Sequence, residues 1–243
     1  MPQYQSIFNR IEIKYLLDAG TAQAFLAQIA DQVTTDAFSA STIANLYYDT
    51  DDFQLIRSSI EKPVYKEKLR LRSYETPTQS SGVFVEIKKK VQGTVYKRRL
   101  MLPYQTALDY LDGQPIQTKN PQVQKEIDWF LHRYPLRPKA YISYERSAWR
   151  GLEDPTLRIT FDKNILFRAS KLDLSDGSFG IRMLDPSQTL MEIKLNDSMP
   201  LWLSHCLNDL YIFPTSYSKY GNCYKKYLLN HCLSLVGGTK NAS

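Results

Sequence analysis

Charged and apolar side chains alternate with a period of two in six stretches of this chain. The clearest is KEKLRLRSYE, residues 66–75, in which Lys66, Lys68, Arg70 and Arg72 occupy every second position. Side chains two residues apart in a β-strand point to the same face, so these four cations would lie in one row. Like charges that close together are destabilising unless something neutralises them. The alternation therefore predicts a strand with one strongly cationic face.

Five further stretches repeat this design, with apolar residues at one parity and charged or polar residues at the other. The polar sets are Glu12 and Lys14; Glu86, Lys88 and Lys90; Tyr144 and Arg146; Arg158, Thr160 and Asp162; and Glu192, Lys194 and Asn196. One such strand is ordinary in an antiparallel sheet, which has a wet face and a core face. Repetition across six strands instead favours a sheet that curls until its charged faces meet, as a barrel with a charged lumen.

Helical periodicity appears between these strands. The predicted helices are residues 21–33 (with Thr21 as cap), 51–59, 103–113, 121–134, 200–210 and 218–233, and two further strands are predicted at residues 42–50 and 95–102. With about eight or more strands, many of them in hairpins, the pattern is α+β. The helices supply the cover that the apolar faces of the strands require.

The charge balance points to an anionic ligand. The chain of 243 residues carries a net charge of +6, which leaves nucleic acid, an acidic membrane surface and a phosphorylated small molecule as possible partners. Unpaired cations in a partly dehydrated lumen would be strongly destabilising without an anion. An oligophosphate offers dense negative charge and forked oxygens for arginine. Carboxylates among the cations suit a divalent metal that binds together with phosphates.

The sequence gives no support for a disulfide framework, a zinc site or a membrane-spanning segment. The three cysteines, Cys206, Cys223 and Cys232, are too few for a disulfide framework and lack zinc-site spacing, so we predict free thiols. The three histidines, His132, His205 and His231, fall on predicted helices and not on the charged strands. No signal peptide is visible in MPQYQSIFNR, and no stretch of about 18 apolar residues occurs. We therefore predict a soluble, cytoplasmic protein without a transmembrane segment.

Eight short motifs occur in order along the chain: EIK near the N-terminus, KLRLR, VEIKKK, YKRRL, YERSAW, LRITFD, MEIK and SYSKY. The ordered set resembles the VTC domain, the polyphosphate polymerase branch of the triphosphate tunnel metalloenzymes, a superfamily that also contains the CYTH group. The resemblance extends from about Phe8 to about Leu229. It implies an antiparallel eight-stranded β tunnel with helices packed around the outside, in a single domain over residues 1–243 whose tail, residues 236–243, is disordered.

The resemblance also implies an activity: transfer of the γ-phosphate of ATP onto a growing polyphosphate chain, with release of ADP and with Mn²⁺ or Mg²⁺ as cofactor. Carried over by motif, the catalytic residues are Arg70, Arg72, Arg146, Arg158 and Glu192. The substrate-binding residues are Lys14, Lys68, Lys88, Lys97, Lys194 and Lys219. The metal carboxylates are Glu192, Glu12 and Glu86, and the last two could instead orient the cations.

Parity refines these assignments. In VYKRRL, Lys97 and Arg99 share one face and Arg98 the other, and the motif selects Lys97. Glu67 has the parity opposite to the cation row and should lie on the outer face, whereas Lys66 is placed at the solvated mouth of the tunnel.

One departure from the superfamily bears on the reaction. CYTH proteins resemble one another in an E-x-E-x-K opening, and here Arg10 replaces the first glutamate. This loss disfavours a metal-rich hydrolytic site and favours polymerase activity. A triphosphatase of the same superfamily and a non-catalytic polyphosphate binder remain alternatives. Nucleic-acid binding ranks third, since no arginine-rich arm or helix-turn-helix pattern is visible. Eukaryotic VTC proteins also carry an SPX domain and membrane helices, which this sequence lacks, so a membrane partner protein stays open.

Overall fold

The computed structural model describes residues 11–61, 63–92, 94–196 and 198–229, without the side chains of residues 37–39. The strands in this part of the chain are β1 Ile11–Asp18, β2 Val33–Asp49, β3 Tyr65–Tyr74, β4 Gly82–Val91, β5 Thr94–Pro103, β6 Arg137–Gly151, β7 Arg158–Arg168, β8 Ile181–Arg182 and β9 Gln188–Leu195. The helices are α1 Ala19–Gln28, α2 Gln54–Ile60, α3 Tyr104–Leu111, α4 Pro121–Arg133, α5 Leu201–Asp209 and α6 Lys219–Cys223, and a π-helical turn, Tyr224–Leu228, continues α6.

The strands follow one hydrogen-bonded order, β1-β9-β7-β6-β2-β3-β4-β5, and β8 pairs with β7 outside this path. Eight strands therefore lie on the main path, and the pairs β1–β9, β7–β9, β3–β4 and β4–β5 are antiparallel. The predicted α+β class with a large antiparallel sheet is confirmed. None of the helices among the described residues has both the length and the apolar character that crossing a bilayer requires.

The described residues form two compact units. The first comprises residues 11–43, 143–166 and 182–217, and the second comprises residues 44–142, 167–181 and 218–229. The long strands β2 and β6 contribute residues to both. Each unit has its own hydrophobic core, and each is described separately below.

In the first unit, helices α1 and α5 cover the apolar parity of β1, β7 and β9. The buried residues of this core include Tyr15 and Leu17 from β1, Phe25 from α1, Ile159 and Phe161 from β7, Met191 and Ile193 from β9, and Leu203 from α5. The Phe25 and Phe161 rings lie 6.1 Å apart, and Trp149 meets Phe161 edge-on at 5.2 Å. The apolar parity read from the sequence is thus the buried face of these strands.

In the second unit, helices α3 and α4 cover the apolar parity of β3, β4 and β5. The buried residues of this core include Leu69 and Leu71 from β3, Val83, Val85 and Ile87 from β4, Leu100 and Leu102 from β5, Ala107 and Tyr110 from α3, and Ile127 and Phe130 from α4. A strand with a cation row at one parity can fold only because the other parity provides this continuous apolar surface.

Several element boundaries differ from the prediction. Helix α1 begins at Ala19, and its cap is Asp18, which accepts hydrogen bonds from the Thr21 backbone and hydroxyl at 2.8 Å each. The backbone hydrogen bond from Thr21 lowers the pKa of Asp18. Strand β2 begins at Val33, nine residues before the predicted start at 42. The sequence did not reveal its first half, because that half is rich in small polar residues and has no apolar alternation. Arg10, His231, Cys232 and the tail 236–243 lie outside the described residues.

The segment after β7 is organised by one buried arginine. The Arg168 guanidinium donates to the carbonyl oxygens of Lys171 at 2.8 Å, Asp173 at 2.7 Å, Gly177 at 2.8 Å and Phe179 at 3.2 Å. The Arg168 guanidinium carbon lies 3.3 Å from the centre of the Tyr141 ring and 4.2 Å from the centre of the Phe179 ring. One side chain therefore satisfies the backbone of a loop that has few hydrogen bonds of its own.

We expect Arg168→Lys to lower the free energy of unfolding by about 1–3 kcal/mol, because a single ammonium cannot reach all four carbonyls and leaves part-buried acceptors without a donor. Denaturant unfolding measures this. The control is Arg57→Lys, whose half-exposed side chain pairs with Asp52 on the surface and should change stability by less than about 1 kcal/mol. Equal losses in the two variants would contradict the role of Arg168.

Candidate functional site

The register of β3, β4 and β5 sets the predicted cations of the second unit side by side. Arg70 lies opposite Glu86, and Lys68 lies opposite Lys88. Lys88 in turn lies opposite Lys97 on β5. These residues share the parity that the helices do not cover. The row of cations expected from KEKLRLRSYE therefore extends across three strands.

A buried carboxylate holds the centre of this row, and we call Arg70, Arg72, Lys97 and Glu86 the Glu86 cluster. Glu86 is 1% exposed. Its Oε2 accepts from Arg70 Nε at 2.8 Å and lies 2.7 Å from a terminal nitrogen of the same guanidinium. Its Oε1 lies 2.6 Å from Lys97 Nζ, and Arg72 Nε is 3.7 Å from Oε2. Three cations thus surround one carboxylate, and the cluster keeps an excess of positive charge.

The electrostatics of the cluster favour the ionised glutamate. Burial raises the pKa of Glu86, but the charges of Arg70, Arg72 and Lys97 outweigh this and hold its pKa well below the ordinary value. Burial also lowers the pKa of Lys97; Glu86 opposes that shift, and Arg72 and Arg70 add to it. Since 39% of the Lys97 side chain is exposed, water screens part of this effect. An additional anion near Lys97 would favour its charged form.

Two residues of β2 position the arginines, and the sequence predicted neither in this role. Arg72 Nε donates to Asn45 Oδ1 at 3.1 Å, and Asn45 donates onward to the Ile142 carbonyl at 3.1 Å. Arg70 donates to the Tyr47 hydroxyl at 3.3 Å. The alternation of buried Ala44, Leu46 and Tyr48 with Asn45, Tyr47 and Asp49 is the signal that would have placed them on the charged face.

Helix α6 is anchored to the same strands. The Tyr220 ring stacks on Tyr47 with centroids 4.7 Å apart, and the Tyr220 hydroxyl donates to Asp49 at 3.0 Å. Lys68 Nζ lies 3.4 Å from the hydroxyl of Ser218, the cap of α6. Lys219, a predicted substrate-binding residue, is the first residue of α6 and comes directly after Ser218 in the sequence.

In the first unit, carboxylates and ammonium groups alternate on adjacent strands, and we call these residues the Glu192 cluster. The register places Lys14 opposite Glu192 and Glu12 opposite Lys194. Lys14 Nζ lies 3.2 Å from Glu12 Oε1 and donates to the Tyr217 carbonyl at 3.0 Å, while Lys194 pairs with Glu192. All four were predicted as site residues, and the structure brings them together on one face of β1 and β9.

The two predicted arginines of the first unit lie on the same parity, and each is held by an aspartate. Arg146 makes a forked pair with the buried Asp162 at 2.6 and 2.7 Å. Burial opposes the charged form of Arg146, but Tyr144 and Asp162 raise its pKa well above the ordinary value. Arg158 lies 2.9 Å from Asp36. Both guanidinium groups are thus oriented before any ligand arrives, and their contact with phosphate stays a prediction.

The carboxylates differ in how well they suit a divalent metal. Among the described residues, no group of three or more histidine, cysteine, aspartate and glutamate side chains could hold a metal alone. Glu12 and Glu192 on neighbouring strands supply two carboxylates, which fits Mg²⁺ or Mn²⁺ if phosphate oxygens complete the coordination. Both oxygens of Glu86 instead contact cations. Of its two predicted roles, the geometry favours the orientation of cations.

The outer parity is distinct from this site. Glu67 accepts from Tyr134 at 2.8 Å and also bonds to Tyr65, and Arg98 pairs with Glu126 of α4 at 3.3 Å. Lys97 therefore lies on the charged face, as its motif indicated, and Arg98 on the helix-covered face.

His132 and His205 lie on helices α4 and α5, and Cys206 and Cys223 are free thiols.

Comparison with known proteins adds a family and a fold. The model of the VTC domain family matches residues 9–228. Subunit 4 of the vacuolar transporter chaperone complex of Trypanosoma brucei brucei is 23% identical over 270 residues, a match that covers 89% of this chain and 34% of the relative. The chain thus spans about a third of the length of that curated relative.

Two solved structures resemble the fold. A candidate adenylate cyclase from Bacillus halodurans superposes with a TM-score of 0.54 at 16% identity, covering 88% of this chain and 96% of that chain. A candidate adenylyl cyclase from Hippeastrum, described as having a dominant triphosphatase activity, superposes with a TM-score of 0.52 at 14% identity, covering 87% and 93%. At these identities the likeness shows the fold alone.

We expect Glu86→Gln to reduce the free energy of unfolding by about 3–5 kcal/mol near neutral pH, because three cations lose their buried counter-charge. The stabilisation by Glu86 is present above its unfolded pKa, near 4.5, and is lost as the pH falls through its lower folded pKa. The wild type should therefore lose stability between about pH 5 and pH 3 more steeply than the variant. Urea unfolding across this range measures both slopes, and parallel slopes would contradict the assignment.

Proposed function

We propose, for a chain that belongs to the VTC domain family, a metal-dependent phosphoryl transfer that synthesises polyphosphate from ATP and releases ADP. We include in the proposal that residues 1–243 act as one VTC-like domain, since the family match continues from residue 9 to residue 228. We also propose that this chain acts together with partner subunits, because the Trypanosoma brucei relative is a subunit of a complex.

The observation that supports the proposal best is the Glu86 cluster. Its carboxylate is buried, whereas 39% of the Lys97 side chain and 19% of the Arg70 side chain are exposed. The negative charge is therefore hidden beneath cations that reach toward solvent. Lys68 and Lys88 extend the positive surface along β3 and β4. A chain of phosphates has the charge density and the forked oxygens that such a row of arginine and lysine binds.

The reaction requires little covalent chemistry from the protein. An oxygen of the terminal phosphate of the acceptor attacks the γ-phosphorus of ATP, the bond between that phosphorus and the β–γ bridging oxygen breaks, and ADP leaves with the electron pair. The attacking oxygen is already ionised, so no general base is needed. In this proposal Arg70 and Arg72 of the second unit and Arg146 and Arg158 of the first bind phosphate oxygens, and Lys14, Lys194 and Lys219 are further phosphate-binding residues.

Glu192 and Glu12 would hold Mn²⁺ or Mg²⁺. A divalent ion bound there neutralises charge on the transferred phosphoryl group. The lysines that pair with these glutamates, Lys194 and Lys14, orient both carboxylates until the ion and the phosphates arrive.

A triphosphatase is the second candidate, because the Hippeastrum protein of the same fold is described with that activity. Water would then replace the polyphosphate acceptor on the same cations. Incubation of the pure protein with ATP and Mn²⁺ separates the candidates. Polyphosphate as product supports the polymerase, free phosphate without polymer supports the hydrolase, and tight binding without turnover supports a binding protein.

We expect Arg70→Ala to weaken the binding of inorganic tripolyphosphate by roughly ten- to a hundredfold, since it removes one charged donor pair near the ligand, worth about 1.5–3 kcal/mol. Isothermal titration calorimetry measures the affinity. The matched control is Arg98→Ala, which removes an arginine from the helix-covered face of the same sheet and should leave the affinity within about twofold. Unchanged affinity in Arg70→Ala would count against the proposed phosphate row.

We expect Glu192→Gln to abolish the Mn²⁺-dependent turnover of ATP while the protein still folds, because the neutral amide is a far poorer ligand for a hard cation. Product formation and the thermal unfolding midpoint are measured on the same sample. A variant that folds and retains full turnover would contradict the role of Glu192 in metal binding.

A further inference from the structure

One end of the charged face in the second unit carries exposed apolar side chains in place of cations. Phe84 lies opposite Arg72 on β3 and opposite Met101 on β5. The Tyr74 ring, at the end of β3, meets the Phe84 ring edge-on with centroids 5.9 Å apart. The guanidinium carbon of Arg99 lies 4.8 Å from the centre of the Phe84 ring. We call these four residues the Phe84 platform.

Two residues of this platform are exposed on the face that the helices leave uncovered. Tyr74 is 42% exposed and Met101 is 70% exposed, although helices α3 and α4 bury the other parity of the same strands. Cross-strand aromatic pairs stabilise a sheet, but that role alone gives no reason for apolar surface beside a row of cations. Flat apolar surface with a stacked guanidinium is what nucleobases bind.

The platform adjoins the Glu86 cluster. Phe84 precedes Glu86 by two residues on β4, which separates their backbones by about 7 Å. Arg99 lies directly opposite Glu86, so one residue of the platform flanks the cluster itself. A nucleotide has the matching layout, with a flat base joined through a sugar to a row of negative charges.

We propose that Phe84, Arg99, Tyr74 and Met101 form the subsite for the base of the nucleotide donor. The inference rests on the proposed function, in which ATP is the donor. The Arg99 guanidinium lies over the Phe84 ring, and the base packs against this pair while Met101 and Tyr74 border it. Inorganic polyphosphate has no base, so the platform distinguishes the donor from the acceptor. It also sets direction, because the triphosphate then runs from the Phe84 end of β4 toward Lys88.

Two ligands that share phosphates but differ in the base test this subsite. Calorimetric titrations compare β,γ-imido ATP with inorganic tripolyphosphate, each with Mg²⁺ and with EDTA, on the full chain. The variants are Phe84→Leu and Tyr74→Leu, which keep an apolar side chain in the sheet and remove the ring. The control is Trp129→Leu, a half-exposed aromatic beside Lys89 and Arg133 on helix α4. Thermal unfolding confirms that each variant folds.

We expect Phe84→Leu to bind β,γ-imido ATP roughly tenfold more weakly and tripolyphosphate within about twofold of the wild type, with no effect in Trp129→Leu. Tyr74→Leu should show a smaller loss of the same kind. One result would overturn the base subsite but not the proposed function. In it, the wild type binds tripolyphosphate, and Phe84→Leu either keeps its affinity for both ligands or loses affinity for both equally. Wild-type protein that binds neither ligand overturns the proposed function and the platform with it.

Discussion

A carboxylate that is removed from water and surrounded by cations is the interaction on which the charged face of the second unit depends. Without Glu86, the guanidinium groups of Arg70 and Arg72 and the ammonium of Lys97 would repel one another across adjacent strands, and the register of β3, β4 and β5 would bring them together at a net loss. With it, the cations are fixed in place and still carry surplus charge. The same interaction therefore stabilises the sheet and leaves a positively charged surface.

In the first unit, the cations of the charged face are neutralised in a different way. Its charges are balanced nearly one for one: Lys14 with Glu12, Lys194 with Glu192, Arg146 with Asp162, and Arg158 with Asp36. A balanced face attracts polyanions less strongly, but it presents carboxylates that a divalent ion can share with phosphates. Surplus cations thus characterise the charged face of the second unit, and paired charges characterise that of the first.

The sequence predicted the parts of this structure that depend on local periodicity. The buried and charged parities are as expected in both units, and Lys97 rather than Arg98 lies on the charged face. It failed where tertiary contacts decide. The first half of β2 has no apolar alternation and is a strand because its neighbours pair with it. Asn45 and Tyr47 were hidden because a polar residue reveals its role only through the arginine it contacts. The roles of the site residues in catalysis stay predictions.

The anchoring of α6 has a consequence for biosynthesis. Tyr220 supplies both the ring that stacks on Tyr47 and the hydroxyl that Asp49 accepts, and Ser218 contacts Lys68. Residues of β2 and β3 are thus contacted by residues of α6 and its cap that are synthesised 150 or more positions later. Until then, a nascent chain holds an aspartate without its tyrosine and a cation row without helix α6. A chaperone or a cellular polyanion would encounter that row before the protein has finished folding.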